Sequence, residues 1–227
     1  MDTRWVDKNI LCLGDSLTEA GIWPARLQEN LRCNVRTHCK GGLGMKDIVD
    51  GGKGPVGELK PLTEALVKDV DLIIFYAGYN DRGLADGGFG DLYSPMEDRA
   101  NRTIAGTLQY CINRIYEELE RADNLGCKVQ IVTPHCVGKY QYIKVDGYHE
   151  YPEGSGRTVK SLAKTMENVS VENNLPCCNL WEQSGINKHT WKVYGANPGL
   201  DEVHCSQAGY ELIGDIITGA VIKNFGL

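Results

Sequence analysis

NILCLGDSLTEAG, residues Asn9 to Gly21, begins as an apolar run from Ile10 to Leu13 and turns at Gly14-Asp15-Ser16 into a segment that opens a helix. A short apolar run bounded by turn residues reads as a strand buried on both faces, the kind found in parallel sheets. A serine at the point where such a strand gives way to a helix has its N–H among the free amino-terminal donors, and its hydroxyl projects from the sheet edge. That position suits a nucleophile, and it suits an N-cap equally well. Gly-Asp-Ser arises by chance in roughly one chain in twenty of this length, so the tripeptide needs partners before it means anything.

Outward from this strand, β-rich runs alternate with helical patterns. Further strands are expected at Asn34 to His38, Asp71 to Ala77, Lys128 to Thr133 and, more weakly, Cys177 to Trp181. Between them Trp23, Leu27 and Leu31 share a helix face. Ile104, Leu108, Cys111, Ile115 and Leu119 share another, as do Val159, Leu162, Met166 and Val169, and a last helix is expected over Ser206 to Asn224. Alternation of this kind means parallel strands joined by crossover helices. The long segments Arg82 to Pro95 and Gly138 to Gly156 both follow strands, which puts them at the carboxyl edge of the sheet, where open α/β sheets bind ligands. No repeat or linker divides the 227 residues, so residues 1–227 read as one domain.

Charge and composition exclude several classes. With 24 Lys and Arg against 30 Asp and Glu the chain carries a net charge of −6, which repels phosphate backbones and anionic lipid, and no basic run reverses this locally. Neither a nucleic acid nor a membrane is expected as partner, and the charged start with Asp2, Arg4, Asp7 and Lys8 reads as cytoplasmic. The 9 cysteines are odd in number and lack C-x-x-C spacing, so they read as small core hydrophobes and not as metal ligands. GKGPVG, Gly52 to Gly57, satisfies a dinucleotide-binding spacing but follows no apolar strand and holds Pro55, so it is set aside as a decoy.

Two further strand-end motifs give Ser16 its partners. IIFYAGYND delivers Gly78, Asn80 and Asp81 to the same edge, where an asparagine amide can donate to an oxyanion or simply serve a turn. DEVHC places Asp201 three residues before His204, ahead of the last helix, close enough for the carboxylate to orient the imidazole that a serine nucleophile needs as base. A second D-x-x-H copy, Asp146 to His149, lies in a polar, tyrosine-rich loop with no apolar helix to anchor it.

Gly-Asp-Ser after the first strand, Gly-x-Asn-Asp after the third and Asp-x-x-His before the last helix together resemble the SGNH hydrolase superfamily, the GDSL esterases and lipases. The resemblance runs from Asn9 to about Phe225. It implies a three-layer α/β/α, flavodoxin-like fold with a parallel sheet of about five strands. It also implies a Ser16, Asp201 and His204 triad, and an oxyanion hole made by the Ser16 N–H, the Asn80 side chain and one N–H of the glycine block CKGGLGMKD. Gly44 is favoured for that donor, with Met45 the other register. The expected activity is hydrolysis, without cofactor or metal, of short acyl esters of a polar, sugar or aryl alcohol through an acyl-enzyme. Acyl transfer or thioester cleavage at the same site is the nearest alternative. A reading of another class is a non-catalytic flavodoxin-like domain whose Ser16 and Thr18 loop holds a ligand phosphate; it requires none of Asn80, Asp201 or His204. Oligomeric state is not written in the sequence.

Overall fold

The structure, a computed structural model, describes residues 4–83, 103–137, 158–198 and 201–226. Five strands, β1 (Asn9–Gly14), β2 (Asn34–Cys39), β5 (Leu72–Tyr76), β6 (Lys128–Val132) and β7 (Cys177–Cys178), form one parallel sheet in the order β2-β1-β5-β6-β7. The chain runs from β1 to one side and then crosses to build the other, so the topology switches beside β1. This is the α/β fold expected from the alternation of strands and helices.

Strand side chains alternate between two cores, as the two-residue period requires. Ile10 and Cys12 of β1, with Leu72, Ile74 and Tyr76 of β5, face a layer made by α2 (Ile22–Leu31) and the last helix, α9 (Gln207–Phe225). There Trp23, Leu27 and Leu31 meet Ile213, Ile217 and Val221. Leu11 and Leu13, with Ile73 and Phe75, face the opposite layer of α3 (Met45–Asp50), α5 (Ile104–Arg121) and α6 (Val159–Glu172). Because both faces are covered, Ile10–Gly14 and Leu72–Tyr76 are buried throughout. Those apolar runs are therefore continuous in sequence and do not alternate with polar residues.

The remaining elements are short: α1 (Ser16–Glu19), a hairpin of β3 (Gly52–Gly54) and β4 (Gly57–Leu59), α4 (Glu64–Val67), α7 (Leu180–Gln183), α8 (Trp191–Tyr194), and an antiparallel ribbon of β8 (Gly195–Asn197) and β9 (Asp201–Cys205). Two expectations change. The strand expected over Cys177 to Trp181 stops after Cys178, because the Asn179 side chain accepts the Glu182 N–H and caps α7. The DEVHC segment ahead of the last helix, where no strand is expected, is a paired strand. Of the two long segments, 82–95 is described only as far as Gly83, and 138–156, with Asp146 and His149, lies outside the described residues. Among the described residues no helix is long and apolar enough to cross a membrane.

Candidate active site

Aligned strand ends bring the motifs together. Gly14 at the end of β1 pairs with Cys39 of β2 and Tyr76 of β5, so the segments that follow all emerge at one edge beside the topological switch. Gly14 fits there because a Cβ would meet Thr18 Oγ1 at 2.0 Å and the Tyr76 carbonyl at 2.6 Å. The fully buried Thr18 thus pins α1 onto the strand end. Asp15, and not the serine, is the N-cap: its Oδ1 accepts the Leu17 N–H at 2.9 Å, which leaves Ser16 as the first helical residue with its hydroxyl uncommitted to capping.

Ser16 Oγ lies 2.8 Å from His204 Nε2, and His204 Nδ1 lies 2.8 Å from Asp201 Oδ2. A carboxylate only accepts, so Nδ1 carries the proton of the neutral ring and Nε2 is free to accept from the Ser16 hydroxyl. Asp201 grips the same segment through its other oxygen, accepting the N–H groups of Val203 at 3.1 Å and His204 at 3.0 Å. Burial acts to raise the Asp201 pKa, but those two N–H groups and the imidazole outweigh it and hold the carboxyl below its ordinary value. The three-residue spacing therefore works in a strand, through a turn closed by the carboxylate, and not along a helix.

His135, which belongs to none of the three motifs, supports this segment. It is 1 % exposed and follows β6. Its Nε2 donates to the Val203 carbonyl at 3.2 Å, with Cys205 Sγ at 3.3 Å, and its Nδ1 accepts from the Tyr76 hydroxyl at 2.7 Å. Trp191 of α8 stacks on the ring at 6.2 Å. Burial above all drives the His135 pKa down to about 4, so the ring is neutral and serves as a bridge between β5 and β9. Its signal in sequence was only its place after a strand, a position shared by many structural residues.

On the other side, Asn80 in a 3-10 turn (Tyr79–Gly83) donates from Nδ2 to the Leu43 carbonyl at 2.9 Å and faces Asp15 Oδ2 at 3.4 Å. The Met45 N–H is occupied, lying 3.2 and 3.0 Å from the two carboxylate oxygens of Asp81. The N–H groups of Ser16 and Gly44 have no partner among the described residues. A Cβ on Gly44 would stand 2.8 Å from Asp81 Oδ1, so glycine is required by this buried carboxylate. Burial pushes Asp15 up to about 6 and Asp81 up to about 7, against the opposing pull of the Leu17 and Met45 N–H groups respectively.

The sequence model of the GDSL-like Lipase/Acylhydrolase family matches residues 12–212, which takes in all three motifs. The chain belongs to that family. Membership makes it a hydrolytic esterase. Solved structures share this GDSL-like fold over nearly their whole length. A lipase/acylhydrolase from Enterococcus faecalis has 20 % identity and a TM-score of 0.61, covering 94 % of this chain and 95 % of its own. A GDSL-like lipase from Bacteroides thetaiotaomicron has 16 % identity and a TM-score of 0.55, covering 96 % and 89 %. A protein from Lactobacillus plantarum has 14 % identity and a TM-score of 0.67, covering 97 % and 99 %. No curated protein matches this GDSL-like chain.

Proposed function

We propose that this esterase works through an acyl-enzyme on Ser16, with His204 as base and acid and Asp201 as its orienting partner. The observation that carries the reading is the unbroken chain of two 2.8 Å contacts from Ser16 through His204 to Asp201. As Ser16 Oγ bonds to the acyl carbon its proton passes to His204 Nε2, and the carbonyl electron pair moves onto oxygen. His204 then gives the proton to the departing alcohol oxygen as the old ester bond breaks, and water repeats the sequence in reverse to free the acid.

The oxyanion is held by the N–H groups of Ser16 and Gly44 and by Asn80. The Asp81 bond to the Met45 N–H favours Gly44 over Met45 for the second donor. Asn80 keeps one amide hydrogen on Leu43 and turns the other from the long contact with Asp15 toward the oxyanion. Everything the reaction needs is a side chain or a main-chain N–H, so no cofactor or metal is invoked.

Short acyl groups, on a polar, sugar or aryl alcohol, suit the described surroundings of Ser16. These are the glycines from Gly41 to Gly44 and the Lys40 pair with Glu19, with a 2.6 Å contact. A long acyl tail would find little apolar surface in that wall. The test is hydrolysis of p-nitrophenyl esters from acetyl to palmitoyl by the wild type and by Ser16→Ala. Ser16-dependent turnover that declines with chain length supports the reading, and turnover that survives Ser16→Ala ends it. Adding an acceptor alcohol to the same assay reveals acyl transfer as a second product.

A further inference from the structure

The glycine-rich segment set aside as a false dinucleotide motif lies beside the nucleophile. Gly52–Gly54 and Gly57–Leu59 pair as a hairpin with Pro55 and Val56 at its turn. The hairpin is seated on the Lys40–Gly42 segment, and the spacing of its glycines follows from that seat. A Cβ on Gly54 would stand 2.7 Å from the Gly41 carbonyl, and one on Gly57 2.8 Å from Lys40 Cε. Pro55 occupies the space a side chain on Gly42 would need, its Cδ 2.5 Å from that Cβ position, where φ is +80°. Val56, held at the tip, is 62 % exposed. Its Cγ2 lies 3.1 Å, and Ser16 Cβ 3.5 Å, from the single point that a Cβ on Gly41 would occupy. Glu19 Oε2, which accepts the Gly41 N–H, lies 2.8 Å from the same point, so the exposed valine and the serine flank Gly41 beside this carboxylate.

We propose that Val56 is a specificity residue that contacts the acyl group of the substrate, an inference that rests on the serine-esterase reading. The departing alcohol must lie against His204 to receive its proton, and His204 reaches Ser16 from β9. Val56 reaches it through the β2–α3 loop, the loop that carries Gly44. With the oxyanion taken by the Ser16 and Gly44 N–H groups and Asn80, and the alcohol by His204, the substituent left for a side chain on this loop's flank to meet is the acyl chain. A single valine offers apolar contact for a chain of a few carbons, which agrees with the proposed short-acyl substrate.

The experiment compares kcat/KM in two series, p-nitrophenyl acetate against butyrate, and acetate esters of differing alcohols. The proteins are the wild type, Val56→Ser, Val56→Leu and a control, Val171→Ser, which replaces another exposed valine at the far end of α6. Val56→Ser is expected to lower the butyrate-to-acetate ratio about threefold to tenfold, the scale of one or two methylenes losing apolar contact. Val56→Leu keeps or raises the ratio, Val171→Ser leaves it unchanged, and alcohol preference stays the same throughout. An unchanged ratio in a Val56→Ser protein that still reacts with a fluorophosphonate at the wild-type rate overturns the proposal while the esterase reading stands. A change confined to the alcohol series overturns it as well. A wild type without Ser16-dependent hydrolysis overturns the reading and the proposal together.

Discussion

Asp81 occupies the Met45 N–H, and that bond is the reason Gly44 is the proposed oxyanion donor of the glycine block. Removing the Asn80 donor beside it with Asn80→Ala is expected to lower kcat by about 10²–10³ with KM little changed, the scale of one lost oxyanion contact. Steady-state kinetics check this, and a rise in KM alone would make Asn80 a binding residue. His204→Ala is expected to cost several orders of magnitude in kcat. His149→Ala is expected to cost less than about tenfold, because triad members act as a unit and His204 already lies against Ser16. The juxtaposition of Ser16, Asp201 and His204 could be read from sequence because each sits in a short motif at or beside a strand. The work of Asp81 could not, since its partner lies 36 residues away and only the folded loop brings Met45 to it.

Strand β9 carries Asp201 and His204 in a ribbon with β8 outside the central sheet, and His135 ties it to that sheet through the Val203 carbonyl that lies between them. His135→Ala would leave that carbonyl and the Tyr76 hydroxyl without their buried partner, at about 1–3 kcal/mol for each. If the bridge positions His204, kcat and the rate of fluorophosphonate labelling fall together by about tenfold or more while KM holds. Gln, which both donates and accepts, restores part of the loss. A variant that lowers only the melting temperature would make His135 structural and nothing more. The long strands and helices were legible because their apolar periods are strong. The ribbon of β8 and β9 was not, because three- to five-residue strands owe their existence to tertiary partners.

For the molecule as a whole, buried titratable groups around the site set opposing dependences of stability on pH. Asp15 and Asp81 titrate at about 6 and about 7 when folded, well above the unfolded value of about 3.8, so the native state takes up their protons first as pH falls. Their burial penalty is present above pH 7 and is relieved as pH drops through 7 and 6. His135, at about 4, acts in the other direction, because the unfolded chain protonates near 6.5 and stability is lost as pH falls from there toward 4. Asp81→Asn keeps an acceptor for the Met45 N–H and removes one of these titrations. Between pH 8 and pH 5 the wild type should therefore gain on the order of 2 kcal/mol relative to Asp81→Asn, or about 4–8 °C in melting temperature. Parallel Tm curves across that range would show that Asp81 is not a raised carboxyl.

In the proposed mechanism Ser16, activated by His204, forms a covalent bond to the acyl carbon. Mass-spectrometric mapping of the protein after treatment with a fluorophosphonate tests it most directly, since the probe places phosphorus where the acyl carbon would bind and expels fluoride. One adduct per chain is expected, on the peptide that contains Ser16, absent in Ser16→Ala and strongly slowed in His204→Ala. An unmodified Ser16 in a protein that hydrolyses esters, or an adduct on any other residue, would contradict it.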